Sequence, residues 1–149
     1  MKIVKIIQWD MGHRVMNHRS VCKGLHGHRY KAEICVEGDI VNETGVSEEG
    51  MVVDFADIKR IANSFIHDKL DHAFMVWDKD VELLDFFKTS EGHKPVVVPF
   101  TSTAENVAAY IFKELDGQFN DAFGTGLRLH SVKLWETPTS CAIYGVNDK

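Results

Sequence analysis

The alternation across residues 27–37 leaves the backbone little choice. Tyr30, Ala32, Ile34 and Val36 fall on one side, while Arg29, Lys31, Glu33 and Glu37 fall on the other. Successive side chains of a strand point to opposite faces, so the run reads as a half-buried β-strand. One face in water and one on a core favours an antiparallel sheet. The surrounding segments agree. Residues 2–10 are rich in Ile and Val and read as a strand, joined to the first by a polar loop at 17–24. Leu127, Leu129, Val132 and Leu134 alternate imperfectly over 127–135, and 140–146 follow after Thr-Pro-Thr, so these two read as a closing hairpin.

Between the strand pairs lie two helical patterns. Asp54 is a suitable N-cap for a helix carrying Phe55, Ile58, Ile61, Ala62 and Phe65 on one face. A second helix is expected over 104–119 with Val107, Ala108, Ile111, Phe112 and Leu115 inward, and Ser102 and Glu105 stand at capping-box spacing before it. Gly, Asp, Asn and Ser in 38–50 mark a turn or hairpin connection. An extra segment, 77–100, holds a short helix at 81–87 and a strand at 96–98. Strand pairs that are joined locally predict an α+β fold: an antiparallel sheet of four main strands with two helices on one face. At 149 residues the chain is long enough to bury its own core. With no repeat or Pro/Gly linker, 1–149 reads as a single domain.

Composition excludes several classes of function. A net charge of −5 with no Lys/Arg stripe argues against a nucleic-acid surface. No apolar run approaches the roughly 20 residues that cross a bilayer. Residues 1–10 lack the order of a signal peptide, so a cytoplasmic protein is expected. Cys22, Cys35 and Cys141 are an odd set and do not suggest a disulfide framework.

The chemistry concentrates in residues 13–28. His26-Gly27-His28 is a His-x-His at a strand entrance, and residues i and i+2 share a face, so both imidazoles can reach one ion. His13 ends the first strand, and pairing the two strands brings it beside them. Three neutral imidazoles with an open fourth position suit a catalytic zinc. In a chain with eight histidines such a pair also arises without a metal, and His18 is a rival third ligand beside Arg19. Cys22 is either a fourth ligand or a reactive thiol next to the metal, and spacing does not separate the two. Cys35 and Cys141 sit within strands and read as packing residues. Asp71-His72 puts a carboxylate beside an imidazole, which suits proton transfer but also describes a surface pair at a helix end. Glu136 is a rim charge or an acceptor for a planar N–H-rich ligand.

Taken together, Gly12-His13-Arg14, Cys22-Lys-Gly-Leu-His26-Gly-His28, Met51-Val-Val-Asp54-Phe55, Leu70-Asp71-His72, Ser102-Thr103-Ala104-Glu105-Asn106 and Trp135-Glu136-Thr137 resemble the 6-pyruvoyl-tetrahydropterin synthase family. The resemblance is closer to its bacterial branch, the 6-carboxy-tetrahydropterin synthases of queuosine biosynthesis, which share the short interval between Cys22 and His26. It implies a tunnelling fold whose subunits assemble into a barrel, usually a homohexamer of two stacked trimers, with active sites at subunit interfaces. It also implies Zn²⁺ on His13, His26 and His28, Cys22 as the base, and Asp71 and His72 as a proton relay. Glu136 would anchor the pterin's amino-pyrimidine edge, and Thr103 would touch the pterin. The implied substrate is 7,8-dihydroneopterin triphosphate, cleaved to 6-carboxy-tetrahydropterin, acetaldehyde and triphosphate. A 6-pyruvoyl product, or a zinc-binding protein of this fold without catalysis, are the alternatives. Arg14, Arg19, Lys23 and Arg29 are nearby cations for the triphosphate. The segment 77–100 is longer than in short bacterial members, and Asp10-Met11 before Gly12-His13 departs from the small residues common there.

Overall fold

The computed structural model describes residues 1–148; Lys149, the last residue of the expected domain, lies outside the described residues. Strands β1 (Lys2–His13) and β2 (His26–Gly38) pair antiparallel over their whole length, with His13 opposite His26 and Lys2 opposite Glu37. β2 continues into antiparallel pairing with a C-terminal strand, Leu127–Thr137, which pairs in turn with Ser140–Gly145. These four strands are the antiparallel sheet expected from the sequence.

The sheet is larger than that. β3 (Ala73–Trp77) runs parallel to β1, and β4 (Pro95–Val98) runs parallel to β3. With the C-terminal pair as β5 and β6, the order is β4-β3-β1-β2-β5-β6, a mixed six-stranded sheet. The expected α+β fold stands, with β3 and β4 added in parallel at one edge of the four antiparallel strands, β4 falling where a strand was expected at 96–98. Ala73–Trp77 is a short apolar run without alternation, so its sequence carries no period to read.

Helices α1 (Phe55–Phe65) and α3 (Ala104–Phe123) cover one face of the sheet. Ile58, Ile61, Ala62 and Phe65 of α1, with Val107, Ile111, Leu115 and Phe119 of α3, bury against Ile7, Trp9, Ala32, Ile34 and Leu134. Each such side chain contributes about 1.5–3 kcal/mol, so this seam holds the fold together. Asp54 caps α1 as expected, its Oδ1 accepting from Ala56 N–H at 2.7 Å. The cap of α3 is a correction: Thr103 Oγ1, not Ser102, accepts from the third residue onward, Asn106. A third helix, α2 (Val81–Thr89), fills the extra segment. Its Phe87 packs on Phe74 at 5.6 Å, on the side of β3 opposite the core residue Met75. Among the described residues no helix is long and apolar enough to cross a membrane.

Candidate metal centre and its cavities

The end of the β1–β2 pair is where period-2 geometry meets chemistry. Core-facing positions run Ile7, Trp9, Met11, His13 on β1 and His26, His28, Tyr30, Ala32 on β2. Three imidazoles therefore close the core at its end. Their ligand atoms all lie within 4.8 Å of one another, an arrangement that can hold a metal ion. Gly12 and Gly27 face each other on the opposite side of the same pair. A Cβ at Gly12 would stand 2.5 Å from the Phe74 ring, so the position must be bare.

The protonation of the cluster follows from its partners. His13 Nδ1 lies 2.7 Å from the Ser102 carbonyl, and His26 Nδ1 lies 2.8 Å from the Gly24 carbonyl. A carbonyl only accepts, so both Nδ1 atoms carry a proton, and Nε2 is the ring atom each leaves for a metal. Among the described residues the His28 ring makes no hydrogen bond, which leaves its nitrogens free to ligate. Burial pushes His13 down to about 4, against the Ser102 bond that raises it, so it is neutral at ordinary pH. Three imidazole nitrogen donors fit zinc. Tyr30 Oη stands 3.3 Å from His13 Nε2, and Glu136 Oε1 stands 3.7 Å from it. Burial, aided by the Glu136 charge, holds the Tyr30 phenol well above its usual range.

Two cavities meet at this cluster. One of about 330 Å³ is lined by His13, His26, Cys22, Thr103 and Glu136. The other, about 460 Å³, lies beyond His28 and is lined by Lys31, Trp135 and again Glu136. Cys22 is a free, half-buried thiol on a short 3₁₀ turn, Val21–Lys23. Its carbonyl accepts from Val15 N–H at 2.8 Å, which folds the loop back over the end of β1.

Asp71 and His72 are elsewhere. His72 Nδ1 lies 3.1 Å from Asp71 Oδ1, and its side chain is 81% exposed. Burial would raise the Asp71 carboxyl, but the Asp10 N–H and the His72 ring hold it below the usual carboxylate range. His72 adopts φ 57°, a left-handed conformation uncommon outside glycine. His72 lines a third cavity with Asp10, Arg29 and His28, distinct from the one that Cys22 lines. Of the candidate cations, Arg14 is engaged by Asp80 and Glu82, and Arg29 by Asp10. Sequence reasoning missed Tyr30, read only as core, and the setting of Trp135. The Trp135 ring lies between Lys31 Nζ at 4.5 Å and Lys133 Nζ at 4.4 Å, and its Nε1–H donates to Glu33.

Comparison with known proteins agrees with this fold. A protein of Haemophilus influenzae named 6-carboxy-5,6,7,8-tetrahydropterin synthase is 36% identical over 146 residues, covering 96% of this chain and 97% of its own. The 6-pyruvoyl tetrahydropterin synthase of Caenorhabditis elegans superposes with a TM-score of 0.67 at 27% identity, covering 97% of this chain and 94% of its own. An uncharacterized protein from Wolinella succinogenes superposes with a TM-score of 0.80 at 25% identity, covering 98% of each chain. The family model described as 6-pyruvoyl tetrahydropterin synthase matches residues 2–147. With the family model matching nearly the whole length and the fold in agreement, the chain belongs to the 6-pyruvoyl tetrahydropterin synthase family of enzymes.

Proposed function

We propose that this protein converts 7,8-dihydroneopterin triphosphate to 6-carboxy-5,6,7,8-tetrahydropterin, releasing acetaldehyde and triphosphate. The observation that carries the reading is the cavity in which Cys22, Thr103 and Glu136 meet the imidazole cluster. The name of the Haemophilus influenzae relative supports this product over others. His13, His26 and His28 hold zinc, which when bound supplies Lewis acidity toward the substrate's side-chain hydroxyls. Cys22 takes a proton from that side chain as general base. Glu136 receives the paired N–H groups of the amino-pyrimidine edge, a geometry that carboxylates accept well. Thr103 contacts the pterin at the cavity wall.

Asp71 holds His72 in orientation, and His72 shuttles protons. Because His72 lines a different cavity from Cys22, the pair serves the site of a neighbouring copy. The working form is then a homo-oligomer, a hexamer of cytoplasmic single-domain subunits spanning 1–149.

The name of the Caenorhabditis elegans protein favours a second reading, in which only triphosphate is eliminated and 6-pyruvoyl-tetrahydropterin results. Incubation of the zinc-loaded protein with the substrate, followed by mass identification of products, separates the two. Acetaldehyde release together with a 6-carboxy product supports the first. A 6-pyruvoyl product without acetaldehyde overturns it.

A further inference from the structure

Three polar residues are fully buried among the described residues: His13, Asp80 and Ser102. All three belong to one connected array. His13 Nδ1–H donates to the Ser102 carbonyl at 2.7 Å, and Ser102 Oγ–H donates to the Arg14 carbonyl at 3.1 Å. Ser102 thus ties the imidazole to the backbone of the next residue. From there the Arg14 side chain reaches Asp80 as a two-point fork, Nε to Oδ2 at 2.7 Å and Nη2 to Oδ1 at 2.6 Å. Asp80 also caps α2, accepting from Leu83 N–H at 3.3 Å. The array begins at a candidate metal ligand and ends in the extra segment.

We propose that Asp80 is a positioning residue for His13, acting through Arg14 and Ser102, and that α2 serves to hold it. The inference rests on the reading of His13 as a zinc ligand. A buried ion pair adds little net stability over an apolar replacement, because both charges lose their water. What a bidentate pair does supply is a fixed geometry. Here it fixes residue 14, whose carbonyl orients Ser102, whose own carbonyl sets the ring plane and tautomer of His13. Partners of this kind behind a ligating histidine govern metal affinity as the ligands themselves do. Glu82 also touches Arg14, at 2.7 Å, but it is 80% exposed and serves as the internal control.

The test uses the full chain and zinc itself. Asp80→Asn keeps the size and the capping oxygen, and removes the charge. Ser102→Ala removes the hydroxyl and leaves the carbonyl in place. Zinc affinity is read by competition with a chromogenic chelator, and ligand geometry by the visible d–d bands of the cobalt(II)-loaded chain. Both variants are expected to bind zinc about 10- to 100-fold more weakly and to shift the cobalt bands, with Glu82→Gln matching the parent. Asp80→Asn risks misfolding; if it does not fold, Ser102→Ala and Arg14→Lys, which keeps the charge but loses the fork, decide the matter. Unchanged zinc affinity and cobalt bands in the folded variants overturn the proposal alone. A parent chain that binds no zinc overturns it together with the metal reading.

Discussion

His13 is nearly inaccessible, 1% exposed, and it pays for that position in proton affinity. Its folded value is about 4, against 6.5 for the free side chain. Between those values the unfolded chain binds a proton that the native chain does not. Stability therefore rises with pH across this window and is lost on acidification, by about 3 kcal/mol in total. Above 6.5 and below 4 this residue adds no slope. Urea unfolding of the zinc-free protein at stepped pH should show the loss, and His13→Gln should flatten it. Cys22 poses a different question, since spacing left it as ligand or thiol. In the structure the ligand group closes on three imidazoles without it, while its side chain lines the cavity with Thr103 and Glu136. Cys22→Ala is expected to keep stoichiometric zinc and to lose turnover by about 10²–10⁴-fold, the range of a general base. Loss of zinc in a folded variant would instead make Cys22 a ligand. The histidine ligands were legible because a His-x-His on a strand has a fixed direction. The Ser102 carbonyl and Tyr30 were not, since nothing in a sequence aims a carbonyl or a core tyrosine at a ring.

Elements with a strong period were readable in kind and place, though α3 runs four residues past the expected 119 and β1 three past the expected 10. The alternation of β2 and the apolar faces of α1 and α3 each express one partner, the core, and one solvent side. β3 has neighbours on both edges and buried positions on both faces, so its five residues show no alternation. The start of α3 shows how a local rule misfires by one position. Ser102 and Glu105 fit the capping box, yet Ser102 is buried and bonded to Arg14, and the cap passes to Thr103. Thr103 thereby holds two duties, as helix cap and as cavity wall. Thr103→Val keeps the shape and loses the cap, which should cost about 1 kcal/mol and lower the melting temperature by roughly 2–4 °C. Thr103→Ser should restore stability, because its hydroxyl can cap as well. If the pterin rests on this residue, Thr103→Val also raises KM. Unchanged KM in both variants would leave it a structural cap only.

At the scale of the molecule, one face of the sheet is covered by α1 and α3 while much of the other is bare. Val4, Ile6 and Ile143 stand on that uncovered face at 45%, 50% and 63% exposure. β6 ends the sheet at one edge and β4 at the other, and an open edge invites pairing with another chain. Assembly of copies edge to edge would answer both features and give the barrel that the family resemblance implies. It would also answer the separation of the chemistry, with Cys22 lining one cavity and His72 another. The consequence is a mixing experiment. Cys22→Ala and His72→Gln, made in separate chains, should each be inactive alone. Co-expressed with different tags and purified as mixed oligomers, they should regain activity wherever an intact Cys22 meets an intact His72 across an interface. Random assembly of equal amounts makes that about a quarter of the sites. If the two residues served the same site from one chain, every site in the mixture would carry one defect, and the mixed oligomer would stay as inactive as its parents.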